Sequence, residues 1–380
     1  MKSVQYTVGE KMSIQNTLNE LNSWLAILIK YNGTDLHVKS NALVRARVKG
    51  SIVPLNKDLI PEHIIDELVK TLMGEKYHSF QEIQEFDGTY TFSNEYRFRV
   101  NIYMHYEGHA LNFRLIPQDI RTIEELNLPT QLHKLSKLER GLVLVTGTTG
   151  SGKSTLLASV IDEINKNSRK HIITIEDPIE YIYNDKKSII EQREIGQHTN
   201  SFSKALRSAM REDPDVIVVG EIRDLDTAES ILQAVNTGHL VFSTVHTLDA
   251  KETIDRMISI FPSEEQNRIR ATLAATLEAI VSQRLVKSVD NTMIPAVEMM
   301  FKSPLIQELI RSKRDSEITD VLAKEGHSFG TRTFNQSLFE LTLNGKISEE
   351  AAYQYATSPA DLKLMLSLSE EYNNKLKKKS

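Results

Sequence analysis

The sequence predicts an α/β protein that carries an α+β domain on its amino-terminal side and a helical segment on its carboxyl-terminal side. Between residues 141 and 300, short apolar runs alternate with helix-like stretches, which is typical of a parallel sheet buried on both faces. A glycine-rich loop directly follows the first of these runs. Before residue 117, strand-like stretches alternate between apolar and polar residues, as in strands with one buried face. After residue 300 the pattern is helical.

The first domain opens with a helix, because leucines recur there at three- and four-residue spacing. Stretches of alternating apolar and polar residues then predict strands, with a turn at Lys49-Gly50 between two of them. The predicted elements are a helix through Leu18, Leu21, Leu25 and Leu28 that ends at Asn32-Gly33, strands at 34–39, 44–48 and 51–55, a helix at 62–73 and strands within 89–116.

One predicted strand places two arginines on the same face. Side chains alternate between the faces of a strand, so Arg97 and Arg99 share one face and apolar residues share the other. A charged strand face is usually a solvated surface, and these arginines become functional candidates only together with other motifs. The apolar residues of the opposite face are Tyr96, Phe98, Val100 and Ile102.

Changes of pattern divide the chain into five predicted segments. They are an N-terminal domain at 1–117, a linker with a short helix at 118–140, an α/β domain at 141–300, a helical segment at 301–372 and a lysine-rich tail at 373–380. The apolar runs of the α/β domain lie at 142–145, 172–175, 216–219 and 240–244, and the helices of the fourth segment are predicted near 304–313, 316–324, 333–343 and 348–355.

Composition excludes several classes of protein. The 380 residues include no cysteine, which excludes disulfides, thiolate metal sites and cysteine nucleophiles. The net charge of −5 argues against a surface built throughout to hold nucleic acid. The amino-terminal residues lack the apolar centre of a signal peptide, and no stretch approaches the roughly 18 apolar residues that span a bilayer. We therefore expect a cytoplasmic protein without direct membrane insertion.

Residues 147–154 form a G-x-x-x-x-G-K-[ST] phosphate loop directly after an apolar run. In such a loop, backbone N–H groups point at the phosphates, and the helix that follows directs its N-terminal dipole at the same anion. Lys153 reaches the β and γ oxygens, and the Ser154 hydroxyl ligates Mg²⁺. The pattern therefore predicts a nucleotide site. Its predicted binding residues are Gly147, Thr148, Thr149, Gly150, Ser151, Gly152, Lys153, Ser154 and Thr155.

Three further motifs place polar side chains near predicted strands. Open α/β sheets bind their ligands at the ends of strands. Carboxylates in a phosphate site position a water or a metal, and a histidine there can contact the γ-phosphate. Taken singly, the acids suit helix N-caps and the histidines suit packed positions. Their joint occurrence after a phosphate loop favours a catalytic site. The residues are Glu176, Asp177 and Glu180 in the motif at 174–181, Glu221 in the motif at 215–224, and His239 and His246 in the motif at 237–247.

These motifs together resemble the secretion and type IV pilus ATPases, and among them the PilT/PilU retraction branch. The resemblance rests on GTTGSGKS at 147–154, IEDPIEY at 175–181, LRSAMREDPD at 206–215, GEIRD at 220–224 and TGHLVFSTVHT at 237–247, and TDLH at 34–37, RFRVN at 97–101, RLIP at 114–117 and SQRL at 282–285 extend it. It implies a PAS-like α+β N-terminal domain, a RecA-like P-loop ATPase domain with a central, mostly parallel sheet, and a helical C-terminal segment. It also implies a hexameric ring motor that hydrolyses ATP with Mg²⁺.

The resemblance implies roles for individual residues. Lys153 and Ser154 would bind phosphate and Mg²⁺, and Glu221 would be the Walker B glutamate at the metal. Glu180 would activate the attacking water, with Glu176 as the alternative. The remaining implied site residues are His239 and His246 of the family's histidine box, and Arg97, Arg99 and Arg114, which meet the phosphates across a subunit interface or a flexible domain pair.

The C-terminal helices depart from the pattern of the main retraction motor. Only the core of the hallmark sequence of that motor is present, at 304–311. Together with the sequences at 333–339 and 360–365, this departure favours a PilU-like accessory motor over a PilT-like one. The resemblance implies a role in pilus retraction, pilin depolymerisation and twitching motility. The implied partners are further copies of the chain in a homohexamer, a platform protein at the inner face of the cytoplasmic membrane and a paralogous retraction ATPase, without nucleic acid.

Two alternative functions stay open. Extension and secretion ATPases of the same superfamily usually carry a four-cysteine zinc module, for which this sequence has no cysteine. A nucleic-acid translocase with a RecA-like core would need a basic or aromatic track, which the sequence does not display.

Three other classes of protein are disfavoured by the sequence. A small-molecule kinase would be shorter, and a GTPase would carry Asn-Lys-x-Asp. The intact acidic positions argue against a scaffold that only binds ATP.

Overall fold

The structure is a computed structural model that describes residues 8–93, 96–117 and 119–369. The chain forms two compact units, Met1–Gln118 and Asp119–Ser380. The lysine-rich tail predicted at 373–380 lies outside the described residues. Within the described ranges, every helix is too short or too polar to cross a membrane.

The first unit is a six-stranded antiparallel sheet with helices packed on it. Its strands are β1 (Gly33–Lys39), β2 (Arg45–Val48), β3 (Ser51–Pro54), β4 (Glu85–Phe92), β5 (Tyr96–His105) and β6 (Gly108–Leu115), and they lie in the order β3-β2-β1-β6-β5-β4. Its helices are α1 (Val8–Lys30), α2 (Glu62–Met73) and α3 (Tyr77–Ile83), with a 3-10 turn at Gly74–Lys76. The sequence pattern does not indicate α3, and it places the start of the β4 region four residues late, at 89.

One face of this sheet forms the core of the first unit. Phe98 and Val100 of β5 are buried in the same cluster as Leu21 and Leu25 of α1. Arg99, between the two apolar residues of β5, is exposed on the opposite face. The alternation predicted for this strand is therefore present, and its polar face is left for other contacts.

The second unit is built on a seven-stranded sheet that is parallel except for one edge strand. The strands are β7 (Gly141–Thr146), β8 (His171–Glu176), β9 (Ile189–Glu194), β10 (Val216–Val219), β11 (Leu240–Val245), β12 (Leu277–Lys287) and the antiparallel β13 (Met293–Phe301), in the order β13-β12-β7-β11-β10-β8-β9. Leu142 and Leu144 of β7 face one core cluster, and Val143 and Val145 face the other. Burial on both faces explains why the central strands are continuous apolar runs.

Helices cover the second sheet and form the C-terminal segment. They are α4 (Lys153–Asn167), α5 (Phe202–Ala209), α6 (Leu225–Asn236), α7 (Ala250–Ser259), α8 (Gln266–Thr276), α9 (Pro304–Arg311), α10 (Ile318–Lys324), α11 (Gly326–Phe329), α12 (Phe334–Leu343), α13 (Glu349–Tyr355) and α14 (Pro359–Leu368). The last three share a core cluster with β12 and β13. Side-chain caps begin several of them, as where Thr333 accepts the N–H of Gln336. The short helix predicted in the linker is a 3-10 helix at Thr130–Lys137.

The fold class predicted from the sequence is confirmed, but the sequence pattern misses β9, β12, β13 and α14. β9 is an edge strand in which polar residues replace an apolar run. β12 and β13 carry polar side chains such as Arg284 and Glu298, whose partners are distant in sequence. Pro295 also argues against a strand, and β13 tolerates it because β13 lies at the edge of the sheet.

Candidate active site

The phosphate loop at 147–154 joins the end of β7 to the start of α4. Lys153 is the first residue of the helix, so the unpaired N–H groups of the first helical turn lie at the loop, where they can bind an anion. Gly152 has a φ of 88°, a left-handed conformation that favours glycine. Residues 148–150 are exposed, whereas Ser151 and Lys153 are buried. The tip of the loop is therefore open to solvent while its base is fixed.

Lys153 is buried at the centre of the loop. Its Nζ donates hydrogen bonds to the carbonyl oxygens of Gly147, at 2.8 Å, and of Thr148, at 3.0 Å. Burial lowers the pKa of Lys153, and the nearby carboxylates of Glu221 and Glu180 oppose that shift. The structure therefore brings the lysine and both predicted carboxylates into one electrostatic environment.

Gln283 of β12 contacts and supports the base of the phosphate loop. Its Nε2 donates a hydrogen bond of 2.7 Å to the carbonyl oxygen of Ser151. A Cβ added at Gly152 would lie 2.6 Å from this Nε2, and one added at Gly147 would lie 2.4 Å from the carbonyl oxygen of Gln283. Both glycines are thus required by close approach as well as by their φ angles. The sequence contains Gln283 within the SQRL motif, but only its polar character in a buried strand signals this role.

Glu176 stands at the end of β8 and is held by three hydrogen bonds. Its Oε1 accepts the Thr174 hydroxyl at 2.6 Å and the Gln192 amide at 3.1 Å, and its Oε2 accepts the backbone N–H of Glu180 at 3.4 Å. Burial raises the pKa of Glu176, and the hydrogen bonds oppose that shift. Gln192 also donates to the carbonyl oxygen of Tyr181 at 2.8 Å. Glu176 and Gln192 therefore shape the loop that follows β8.

Glu180 lies in that loop, and its side chain is exposed. The next residue, Tyr181, connects the loop to α4, because its hydroxyl lies 2.8 Å from the hydroxyl of Thr155. The acidic loop is thereby attached to the helix that carries Lys153. Sequence reasoning identified Glu180 and Thr155, but it assigned no role to Tyr181 or Gln192.

Glu221 is the centre of a charged cluster at the ends of neighbouring strands. One carboxylate oxygen lies 2.5 Å from a guanidinium nitrogen of Arg223, and the other lies 3.4 Å from Nε2 of His246. Arg223 also lies 3.6 Å from the carboxylate of Asp177, and its hydrogen bond with Glu221 raises the pKa of Arg223. β10 and β11 are parallel and in register, so the residues that follow them meet at one edge. The GEIRD motif contains Arg223, but sequence reasoning assigned it no role.

His239 is not part of this cluster. It immediately precedes β11, and the pairing of Leu240 with Gly141 places it beside the beginning of β7, at the amino edge of the sheet. The phosphate loop lies at the carboxyl edge, a full strand length away. His239 instead contacts Thr237 and the carbonyl oxygen of Ala234 at 3.0 and 2.9 Å. The structure therefore brings His246, but not His239, to the edge of the sheet that carries the phosphate loop, and the role that the resemblance implies for His239 stays a prediction.

The three predicted arginines lie on the sheet of the first unit. Arg99 and Arg114 are directly opposite each other on β5 and β6. Arg114 donates from Nε to Asp35 at 2.7 Å, and Arg97 donates to the Thr89 hydroxyl at 3.3 Å. Burial alone would raise the pKa of Asp35, but hydrogen bonds from Arg114 and Thr34 bring it below its usual value. Arg114 is 72% exposed and therefore accessible to a further partner.

A cavity of about 260 Å³ opens beside the phosphate loop. Gly152, Thr155 and Leu156 form one wall, and Leu285 and Pro295 of the sheet edge form another. Its remaining lining residues come mostly from 121–128. The cavity adjoins the phosphate loop and combines apolar walls with polar groups, which suits the base and ribose of a nucleotide.

The oxygen donors near Lys153 are of the kind that Mg²⁺ prefers. They are the hydroxyl of Ser154 and the carboxylate of Glu221, and Mg²⁺ is commonly held by one or two such protein groups together with substrate phosphates. Over the described ranges, no three His, Asp or Glu side chains gather as a separate metal site.

This architecture defines a P-loop nucleoside triphosphatase with a RecA-like sheet. The sequence profile of the type II/IV secretion system protein family matches residues 22–330. The chain is 39% identical to the type IV pilus retraction ATPase PilT of Pseudomonas aeruginosa, over 90% of this chain and 99% of that protein. It is 36% identical to the type IV pilus ATPase PilU of the same species, over 93% of this chain and 92% of that protein.

A solved structure gives the same result. The crystal structure of the pilus retraction motor PilT with bound ADP superposes with a TM-score of 0.85 at 38% identity, covering 90% of this chain and 99% of that one. The chain belongs to the type II/IV secretion system protein family, and it is a nucleotide-binding ATPase. The resemblance drawn from the sequence motifs is confirmed. The preference for PilU over PilT stays a prediction, because relatives of both names match over nearly the whole chain.

Proposed function

We propose that this chain is a Mg²⁺-dependent ATPase motor that powers type IV pilus retraction. The observation that carries the proposal is the convergence of buried Lys153 with the carboxylates of Glu180 and Glu221. It is supported by the names of its relatives, which include a retraction ATPase and a second pilus ATPase.

Lys153 and the loop would bind the triphosphate. The Nζ that donates to two loop carbonyls would turn to the β and γ oxygens, and the N-terminal end of α4 would add its dipole. The cavity beside Gly152 and Thr155 would hold the base and ribose. Ser154 and Glu221 would hold Mg²⁺, which supplies positive charge against the phosphate oxygens.

Glu180 is the general base in this proposal. Its carboxylate is exposed and would accept a proton from the attacking water while the water oxygen bonds to the γ-phosphorus. The bond from that phosphorus to the bridging oxygen breaks, and ADP leaves. Glu176 is the less suitable base, because both of its oxygens already accept hydrogen bonds and burial favours its protonated form.

The arginines of the first unit would act on the phosphates either across a subunit interface or within a flexible domain pair. An arginine at the γ-phosphoryl group neutralises charge that develops in the transition state. Exposed Arg114, fixed at Nε by Asp35, has its remaining guanidinium nitrogens free for this use. Hydrolysis would then depend on the position of the arginine-bearing unit, which is how a homohexameric ring couples ATP to movement.

The partners follow from this role. The ring would act on a platform protein at the inner face of the cytoplasmic membrane, and as a PilU-type motor it would work beside a paralogous retraction ATPase. We expect no nucleic-acid partner.

The proposal is tested by observing labelled pili on cells of the source bacterium from which this chain has been deleted. Restoring the wild-type chain should restore retraction, and Lys153→Ala at equal expression should not. Retraction restored by Lys153→Ala would contradict the proposal. Repeating the experiment without the paralogous ATPase separates the two types, because a PilU-type chain would then fail and a PilT-type chain would succeed.

A further inference from the structure

Tyr181 joins the loop that carries Glu180 to the helix that carries Lys153. It directly follows Glu180 in the chain, and its hydroxyl lies 2.8 Å from the hydroxyl of Thr155. Thr155 is the third residue of α4, two positions after Lys153. A hydrogen bond between two side-chain hydroxyls therefore links the acidic loop to the first turn of the helix that follows the phosphate loop.

The backbone around Glu180 is held on its other side by the sheet. The N–H of Glu180 donates to Oε2 of Glu176 at 3.4 Å, and the carbonyl oxygen of Tyr181 accepts Nε2 of Gln192 at 2.8 Å. Glu176 ends β8, and Gln192 lies in β9. The exposed carboxylate of Glu180 thus belongs to a backbone segment that is fixed to two strands, and the Tyr181 hydroxyl adds a bond from this segment to α4.

The far end of the same loop is fixed to the last turn of α4. Asn165 is fully buried there. Its Nδ2 donates to the carbonyl oxygen of Asn184 at 2.8 Å, and its Oδ1 accepts the N–H of Lys186 at 3.0 Å. The loop therefore lies along α4 from the first turn to the last, and its far end stays attached when the hydroxyl contact at the first turn is removed.

The hydroxyl pair can respond to a bound nucleotide. A hydroxyl has one proton to donate and accepts through its oxygen, and either hydroxyl of this pair can be the donor. When the Thr155 hydroxyl donates to a phosphate oxygen, its proton is used, and Tyr181 becomes the donor to Thr155. The charge of the phosphate polarises this chain of hydrogen bonds and strengthens it. Occupation of the phosphate site would therefore tighten the hold on the residue next to Glu180.

We propose that Tyr181 is a positioning residue for ATP hydrolysis, which holds Glu180 at the phosphate loop through its hydroxyl contact with Thr155. The inference rests on the proposed function, in which Glu180 is the general base and Thr155 belongs to the nucleotide site. A displacement of about 1 Å in a reacting group can lower the rate about 100-fold. The hydroxyl pair thereby makes the position of the base depend on bound phosphate.

The kinetic test compares the wild-type full chain with Tyr181→Phe, which removes the hydroxyl and keeps the ring. We expect kcat to fall about tenfold, while the Kd of a fluorescent ADP analogue stays within about twofold. Tyr90→Phe is the matched control, because it removes a hydroxyl that bonds Asn22 at 2.8 Å in the first unit, and it should keep wild-type turnover. Wild-type kcat of Tyr181→Phe, or an equal loss in Tyr90→Phe, would overturn the inference.

Double variants show whether Tyr181 acts through Thr155 and Glu180. Adding Tyr181→Phe to Thr155→Val, or to Glu180→Gln, should lower kcat by less than about twofold further, because the contact or the base is already missing. Losses that multiply in either pair would assign Tyr181 a separate role and reject the inference. If Tyr181→Phe does not fold, Thr155→Val breaks the same bond from the other side, and its combination with Glu180→Gln is measured instead.

Hydrogen exchange measures the hold without relying on turnover. In the wild type, a non-hydrolysable ATP analogue should slow exchange in peptides that cover 179–183. In Tyr181→Phe this slowing should be lost, while exchange at 184–188, the part of the loop that Asn165 holds, stays as in the wild type. Slowing at 179–183 that survives in Tyr181→Phe would contradict the coupling to phosphate.

Glu180→Gln separates this inference from the function on which it rests. Full turnover of Glu180→Gln would reject Glu180 as the base, and with it the site as proposed. Low turnover of Glu180→Gln together with wild-type behaviour of Tyr181→Phe would reject the positioning role alone.

Discussion

The imidazole Nε2 of His246 lies 3.4 Å from Oε2 of Glu221. The two residues follow the parallel strands β11 and β10, whose register brings their carboxyl ends side by side. Glu221 contacts Arg223 through its other oxygen, so the carboxylate lies between two potential cations. A ligand that binds the carboxylate of Glu221 must compete with His246 and Arg223 for its oxygens. We therefore expect the contacts of both side chains with Glu221 to change when the nucleotide site is occupied.

Removing the proposed general base, Glu180, should lower turnover more than removing the buried acid, Glu176. Glu180→Gln should lower kcat about 100-fold or more, because general-base catalysis contributes on that order, while nucleotide affinity is retained. Glu176→Gln should lower kcat less than about tenfold but reduce thermal stability, since the substituted amide cannot accept all three hydrogen bonds. Steady-state kinetics and melting temperatures check both expectations, and a greater loss of kcat in Glu176→Gln would reverse the assignment.

Gln283→Ala should weaken nucleotide binding although Gln283 lies in β12, outside the phosphate loop. The change removes the 2.7 Å hydrogen bond to the Ser151 carbonyl and leaves the base of the loop unsupported. We expect the Kd for a fluorescent ADP analogue to rise about tenfold, equivalent to about 1.4 kcal/mol. Gln307→Ala is the control, because Gln307 makes a similar 3.0 Å bond to a helix carbonyl elsewhere. Equal effects of the two variants would mean that support of the loop is not specific.

Arg114→Ala should lower kcat at least about tenfold in the assembled ring, because an arginine at the phosphates stabilises transition-state charge. Arg45→Ala, which removes another exposed arginine of the same sheet, should have little effect. Mixing Arg114→Ala with Lys153→Ala subunits adds a direct test. If Arg114 acts across a subunit interface, mixed rings recover activity that neither variant has alone; absence of recovery would assign the arginine to its own chain.

Glu298 should make stability depend on pH in a defined direction. Its pKa in the folded protein is raised to about 7 from 4.5, so between these values the unfolded chain releases a proton that the folded chain retains. The free energy of unfolding should therefore decrease as pH rises through this window, by about 1 to 3 kcal/mol, and change no further above it. Urea midpoints of Glu298→Gln relative to wild type at pH 5 and pH 8 isolate this contribution. A difference that does not vary with pH would contradict the raised pKa.

The sequence predicts the parts of this molecule that depend on local pattern. Glycine spacing identifies the loop around Lys153, and apolar runs identify the central strands. Strand-end acids such as Glu221 mark the edge of the sheet at which we propose that catalysis takes place. The features that the sequence does not reveal depend on contacts between segments that are distant along the chain. Gln283 reaches Ser151 across more than a hundred residues, and only its polar character within a buried strand marks it. His239 precedes β11 in sequence, and in a parallel sheet this places it at the amino edge, away from the phosphate loop.

In the proposed function, Lys153 binds the phosphates of ATP in a hexameric motor. The most direct measurement is ATP turnover of the purified full chain, with its oligomeric mass determined by light scattering in the same sample and Lys153→Ala as the comparison. We expect a hexamer whose turnover is abolished by Lys153→Ala without loss of assembly. Turnover that persists in Lys153→Ala, or a wild-type chain that is monomeric and inactive with ATP and Mg²⁺, would contradict it.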